Sequence, residues 1–273
     1  MTVNTSNSEE PASGWGPRSV RSWPLITLGA VIIAATYLGI ILTQSTTLGH
    51  DLGPTTLVVL AGYLAGAVLI AMGTLPTLTT RTLVLVPGAI ATNIVAGQIV
   101  GVSPLPLYLD SLGTVLVAIL AGPAAGAATG VLTNLLWGLV TPSAIPFAAG
   151  SALVGCAAGL WARLLLRRRI QSHILRLGLF TVAGGLTGVL TGMLSAPVAA
   201  FVFGGGLGVG TGSLVAVLQA SGQSMLEAAT VQSLISDPLD KALCFLIAVT
   251  AAGLLPTRLL ARFPAPARGI YLR

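Results

Sequence analysis

From residue 23 onward the chain is a succession of long apolar runs, separated by short polar or basic breaks. About 20 consecutive apolar residues are enough to cross the hydrocarbon core of a bilayer as a helix. Glycine and proline lie inside the runs, and the short alternating segments of a membrane β-barrel are missing, so the pattern predicts helices. Spans are expected at 23–42, 54–75, 83–102, 107–121, 124–140, 145–166, 177–203 and 239–260. The fourth and fifth are short, and only Gly122-Pro123 separates them. The seventh is overlong and is expected to tilt or bend near Pro197. The stretch 204–236 opens G-G-G-L-G-V-G-T-G. A ninth span there would carry the C-terminal arginines across the membrane, so it is read as an outer loop with a partly re-entrant or surface helix. Irregular backbone at membrane depth is tolerated only where protein or a water-filled cavity covers it. Residues 1–22 are polar and read as a disordered cytoplasmic tail, with a second tail at 264–273. The first apolar run exceeds a signal-peptide core and is read as a retained helix.

Composition strengthens this picture. Of 273 residues, 54% are hydrophobic and 7% charged, against about 25% charged in soluble domains. An all-α integral membrane protein follows. The net charge of +6 does not imply nucleic acid, because the basic residues sit in short clusters between apolar runs. All of them except Lys241 are arginines: 18 and 21, then 81, then 163, 167, 168, 169 and 176, then 258, 262, 268 and 273. With eight spans and the N-terminus inside, every arginine falls on the cytoplasmic side. Asp51, Asp110, Glu227, Asp237 and Asp240 then fall on the outer side or at outer helix ends. Cys156 and Cys244 lie inside spans, as small core side chains rather than a disulfide pair. His50 and His173 fall on opposite faces and cannot share a metal or a proton relay. No G-K-[ST] follows the glycine-rich run, and no paired-carboxylate or H-E-x-x-H pattern occurs. The chain is therefore expected to be no enzyme and to need no cofactor.

On this topology the unusual polar groups gather at the outer level. Tyr108 and Asp110 begin span four. Asn93 and Gln98 lie in span three, and Asn134 and Trp137 in the outer half of span five. Asp237, Asp240 and Lys241 mark the outer start of span eight, with Gly206 and Gly208 above them. The set describes an outward cavity for a small polar ring compound. Structural readings stand beside this one. Asp110 can cap span four or pair with Lys241. Asp237, followed by Pro238, can cap span eight. Asp240 and Lys241 can sit among headgroups, Asn93 and Asn134 can bond between helices, and Trp137 can be an interface anchor. Gly122, Gly126 and Gly130 place small residues on one helix face, which lets helices approach closely.

The segments Y-L-D-S-L-G-T (108–114), A-G-P-A-A-G-A-A-T-G-V-L-T-N (121–134), F-G-G-G-L-G-V-G-T-G (203–212) and S-D-P-L-D-K-A-L-C-F-L-I-A (236–248) occur in that order. In this order they resemble the substrate-binding S components of energy-coupling factor (ECF) transporters, in the riboflavin-like or unassigned-substrate group. The resemblance covers 81–263 as a six-helix core, leaving 23–80 as an extra N-terminal helical hairpin. It implies a component of the bacterial plasma membrane that captures a vitamin or similar micronutrient from outside. It implies no ATP hydrolysis by this chain, and partnership with a membrane coupling protein and cytoplasmic ATPases. Small residues on the first core helix, here Gly88, Thr92 and Ala96, would contact the coupling protein; ordinary helix packing explains them equally well. A sensor or assembly module of the same fold and a stand-alone secondary carrier are the alternatives. Against the carrier, no repeated halves with broken helices are visible.

Overall fold

A computed structural model describes residues 23–43, 54–168, 170, 172–205 and 208–263. Both expected tails, Asp51 and Gly206 lie outside the described residues. Every regular element among the described residues is helical. In order these are α1 (Trp23–Thr43), α2 (Pro54–Thr74), α3 (Thr80–Gly101), α4 (Leu112–Ala121), α5 (Pro123–Trp137), α6 (Ala148–Arg167), α7 (His173–Phe203), α8 (Val209–Ala220), α9 (Met225–Leu254) and α10 (Thr257–Leu260). Short 3-10 turns at Leu75–Thr77 and Pro142–Phe147 lead into α3 and α6.

Five stretches are long and apolar enough to cross a membrane: Trp23–Leu42, Leu57–Thr77, Thr80–Gly101, Pro142–Arg167 and His173–Phe203. The eight expected spans are not matched one for one, for identifiable reasons. Span four shrinks to the ten residues of α4, about 15 Å at 1.5 Å per residue. That is half of a hydrocarbon core of about 30 Å. Its predicted beginning, 107–111, is loop. α5 has 15 residues and is also short. The last predicted span begins much earlier than expected. Ser224 and Glu227 form a capping box, which starts α9 before the apolar run and carries it for 30 residues through Pro238 to Leu254. Of the described part of 204–236, Gly204, Gly205, Gly208 and the turn at 221–224 are irregular; the rest is α8 and the first turns of α9.

α4 is the centre of the bundle. It contacts α3, α5, α6 and α9, and Val115, Val117, Ala118, Ile119 and Leu120 are all buried. A helix that is apolar all round belongs in a core. Gly122, at φ +98°, turns the chain sharply, and Pro123 opens α5 at a position where its missing N–H costs nothing. The predicted short turn and the small glycine face are both present. A side chain on Gly126 would strike the backbone of Gly155, and one on Gly130 the backbone of Ser151, so α5 and α6 lie in close contact.

The closest long pairing is α7 against α9. Gly184, Gly188 and Gly192, one turn apart on α7, meet the backbone of Lys241, Asp237 and Ser233 on α9. α7 continues as helix through Pro197. α1 and α2 form a hairpin joined by similar contacts at Gly29 and Gly66, docked through α2 on α5 and α6 and through α1 on α7. The long helices turn large apolar side chains outward, among them Leu42 on α1, Val58 on α2, Val84 on α3 and Ile174 on α7.

Candidate functional site

The loop between α3 and α4 builds the site. After Gly101 the chain does not stay at the end of the bundle but dips back along α3. Asp110 reaches the level of Gly97, against which its Cβ packs. Four residues of helix separate Gly97 from the end of α3, about 6 Å. Gly113 then lies on the backbone of Ala89. A dipping loop has N–H groups with no helical or sheet partner, and burying them unsatisfied is costly. Two side chains from elsewhere accept from them. Asp240 Oδ1 accepts from the N–H of Tyr108 at 3.0 Å and of Leu109 at 2.6 Å. Asn93 Oδ1 accepts from the N–H of Gly113 at 2.7 Å and of Thr114 at 3.4 Å. Leu109 has φ +49°, in the left-handed region, which disfavours a non-glycine residue by roughly 1–2 kcal/mol. The Asp240 carboxylate holds the loop in that shape.

Lys241 completes the clamp. Its Nζ donates to Asp110 Oδ1 at 2.9 Å and to Asp240 Oδ2 at 2.6 Å. Asp240 and Lys241 are buried inside the protein, sixteen and seventeen residues into α9 rather than among headgroups at a helix start. Asp237, expected ahead of the last helix, is interior to α9 for the same reason and caps nothing. The Asp110 hydroxyl-bearing neighbour, Ser111, donates to the same Asp110 oxygen at 2.8 Å. Asp110 keeps a quarter of its side chain exposed.

The remaining predicted residues divide clearly. Tyr108 sits with its hydroxyl beside Gln232 Nε2, at 3.5 Å, and near Thr211 of α8. The Trp137 indole lies over Gly97, next to Asp110. Tyr108, Asp110, Trp137, Asp237, Asp240 and Lys241 thus come together. Asn93 does not join them as an open group. Its amide donates to Thr114 Oγ1 and Thr133 Oγ1 and its oxygen accepts twice, so its hydrogen-bonding capacity is used within the protein. Asn134 points to the α5–α6 contact, donating to Ser151 Oγ at 2.6 Å. Gln98 is exposed on α3. Gly208 precedes α8, and Gly210 rests on the backbone of Pro104 and Leu105, so the start of α8 lies against the site loop. On α3, Gly88 and Thr92 are exposed and Ala96 half-buried, with nothing within 4 Å of a Cβ at Gly88.

Two residues not anticipated from the sequence belong to the site. Gln232 and Ser236 are fully buried on α9, and Gln232 Oε1 and Ser236 Oγ have no hydrogen-bond partner. Their spacing with Asp240 is four residues, the signature of one helix face. The sequence hides this spacing because 204–236 is expected to be an outer loop with a partly re-entrant or surface helix, separate from the helix that carries Asp240. Trp137 Nε1 is likewise buried without a partner.

The opposite end of the bundle is basic. Arg81 at the start of α3 donates to the carbonyl of Arg262 beyond α10, at 3.3 Å. Leu260 and Phe263 pack with Leu165, Leu166 and Phe180 at the α6–α7 junction. An open groove of about 350 Å³ there is lined by Leu160, Arg163, Leu164, Arg167 and Arg168. Among the described residues no group of His, Cys, Asp and Glu is arranged to hold a metal ion. Comparison of the chain with protein-family models, with curated proteins and with solved structures finds no match.

Proposed function

We propose that the chain is a membrane-embedded substrate-binding component of an importer, of the ECF S-component kind. It would capture a small polar ring compound from outside for uptake driven by partner ATPases. The observation that carries this reading is the loop 102–111, folded into the bundle and clamped to α9 by Asp240 and Lys241. Around it stand an indole, a phenol and buried polar atoms with no partner in the protein. Polar groups of that kind inside an apolar bundle are costly unless they serve a ligand or a pathway.

The apolar outer faces of the long helices support a bilayer environment, since a surface of that kind in water would aggregate. Arginines at one end and carboxylates at the other support an orientation with the arginine end in the cytoplasm. The exposed Gly88–Thr92 face of α3 is available for a coupling protein. The S-component reading itself rests on the sequence resemblance.

The test is biochemical. Purified in detergent, the chain is expected to retain a small molecule and to hydrolyse no ATP. Tagged and isolated from its native membrane, it is expected to bring a membrane protein and ATPase subunits with it. ATP hydrolysis by the chain alone would overturn the proposal. Substrate uptake into vesicles containing this chain and nothing else would replace it with a self-sufficient carrier.

A further inference from the structure

We infer that the ligand of this site carries a positively charged, hydrogen-bond-donating nitrogen, bound along the Gln232–Ser236–Asp237 face of α9. The inference rests on the reading above that the cluster is a substrate site, and it specifies the substrate's chemistry.

The first argument is charge. Asp110, Asp237 and Asp240 face a single cation, Lys241, the only lysine in the chain. The arginines of the described helices belong to the other end. Lys241 is committed to Asp110 and Asp240. Asp237 is buried, with 6% relative exposure; its Cβ packs on Gly192, and unlike Asp110 and Asp240 its carboxylate takes no hydrogen bond from Lys241. A buried carboxylate without a partner is strongly unfavourable, and a ligand cation would supply the missing charge.

The second argument is independent of charge. Ser236 and Gln232 lie on the same helix, one and two turns from Asp240, and each has a fully buried oxygen without a partner. Elsewhere in the bundle several helix hydroxyls bond back to their own helix. Thr187 does so to Ala183, Thr191 to Thr187 and Thr230 to Leu226. Ser236 does not. Its oxygen and the Gln232 carbonyl are buried without a partner, and Asp237 is the next residue along α9. A protonated amine or amidine presents several N–H donors and suits acceptors of this kind. The nearby donor without a partner is Trp137 Nε1, beside Asp110, which suits one acceptor atom elsewhere on the same molecule. The indole also offers a face to a cation. Among the described residues no three His, Cys, Asp or Glu side chains are grouped to hold a metal ion.

The experiment incubates the purified full chain with the dialysable fraction of yeast extract and identifies what stays bound by native mass spectrometry. The expected result is one retained compound that is cationic at pH 7. Its occupancy should fall about 10- to 100-fold in Asp237→Asn, as the loss of a charged hydrogen bond requires, and several-fold in Ser236→Ala. Asp237→Asn should unfold no earlier than the parent, because it removes an unpaired buried carboxylate; this separates lost binding from lost folding. A retained compound that is neutral or anionic, or full occupancy in Asp237→Asn, overturns the inference and leaves the substrate-binding reading intact. A chain that retains nothing overturns both.

Discussion

Asp240 and Lys241 are neighbours in sequence and both lie inside the protein. Between them they hold a loop, two carboxylates and a helix in register. Lys241→Met leaves the Asp240 and Asp110 carboxylates without their cation. A loss of about 3–5 kcal/mol is expected on breaking a buried pair in this way, measured by thermal unfolding in detergent. Asp110→Asn should cost less, because Asp110 is partly exposed. Combining Lys241→Met with Asp240→Asn should recover part of the loss, which a double-mutant cycle would register. Asn93 shows the reverse division of labour. Asn93→Ala removes the acceptor for Gly113 and Thr114 and should destabilise by about 1–3 kcal/mol. Because Asn93 has no bonding capacity left over, ligand occupancy in the folded fraction should not change. The sequence made each of these residues visible as an oddity in an apolar chain. It could not say which were engaged with the protein, since that depends on partners 20 to 131 positions away.

At the scale of elements, glycine positions decide which helices touch. A side chain at Gly188 meets the backbone of Asp237 and Pro238, atoms that cannot rotate away. Gly188→Leu should therefore separate α7 from α9, lower the unfolding temperature and abolish retention of any bound molecule. A Cβ at Gly88 meets nothing within 4 Å, and the residue is exposed, so Gly88→Leu has open space. It should leave unfolding unchanged and, if α3 docks a coupling protein, remove that protein from pull-downs. The pair of variants distinguishes packing from docking on the same type of residue. The Gly126–Gly130 face was legible from its four-residue spacing. The matching face on α7 has the same spacing, but nothing local identifies α9 as its partner. The apolar run at 239–260 understates α9 because apolar content marks where a helix can be buried. The Ser224–Glu227 box marks where it begins.

For the whole molecule, the separation of charge gives a testable orientation. Arg168 is exposed near the α6 end, and Ser221 is exposed after α8. With the arginine end in the cytoplasm, Ser221→Cys should react with a membrane-impermeant maleimide in intact cells. Arg168→Cys should react only after permeabilisation. Reaction of both without permeabilisation would contradict the membrane-spanning topology proposed for the chain.

Apolar content, run length and the clustering of arginines are properties of the linear chain. They determine a helical protein with several helices fit for a bilayer, because burial in either lipid or core demands the same satisfied backbone. They also single out Asp110, Asp240 and Lys241, since charge is rare here. What they cannot determine is depth. Only the tertiary structure shows that α4 is a half-length core helix, that the preceding loop folds inward, and that Gln232 and Ser236 face it with oxygens unmet. Those features follow from which distant backbone groups a carboxylate or an amide is able to satisfy. No local pattern encodes that choice, because it is settled when α3, α4, α7 and α9 pack together.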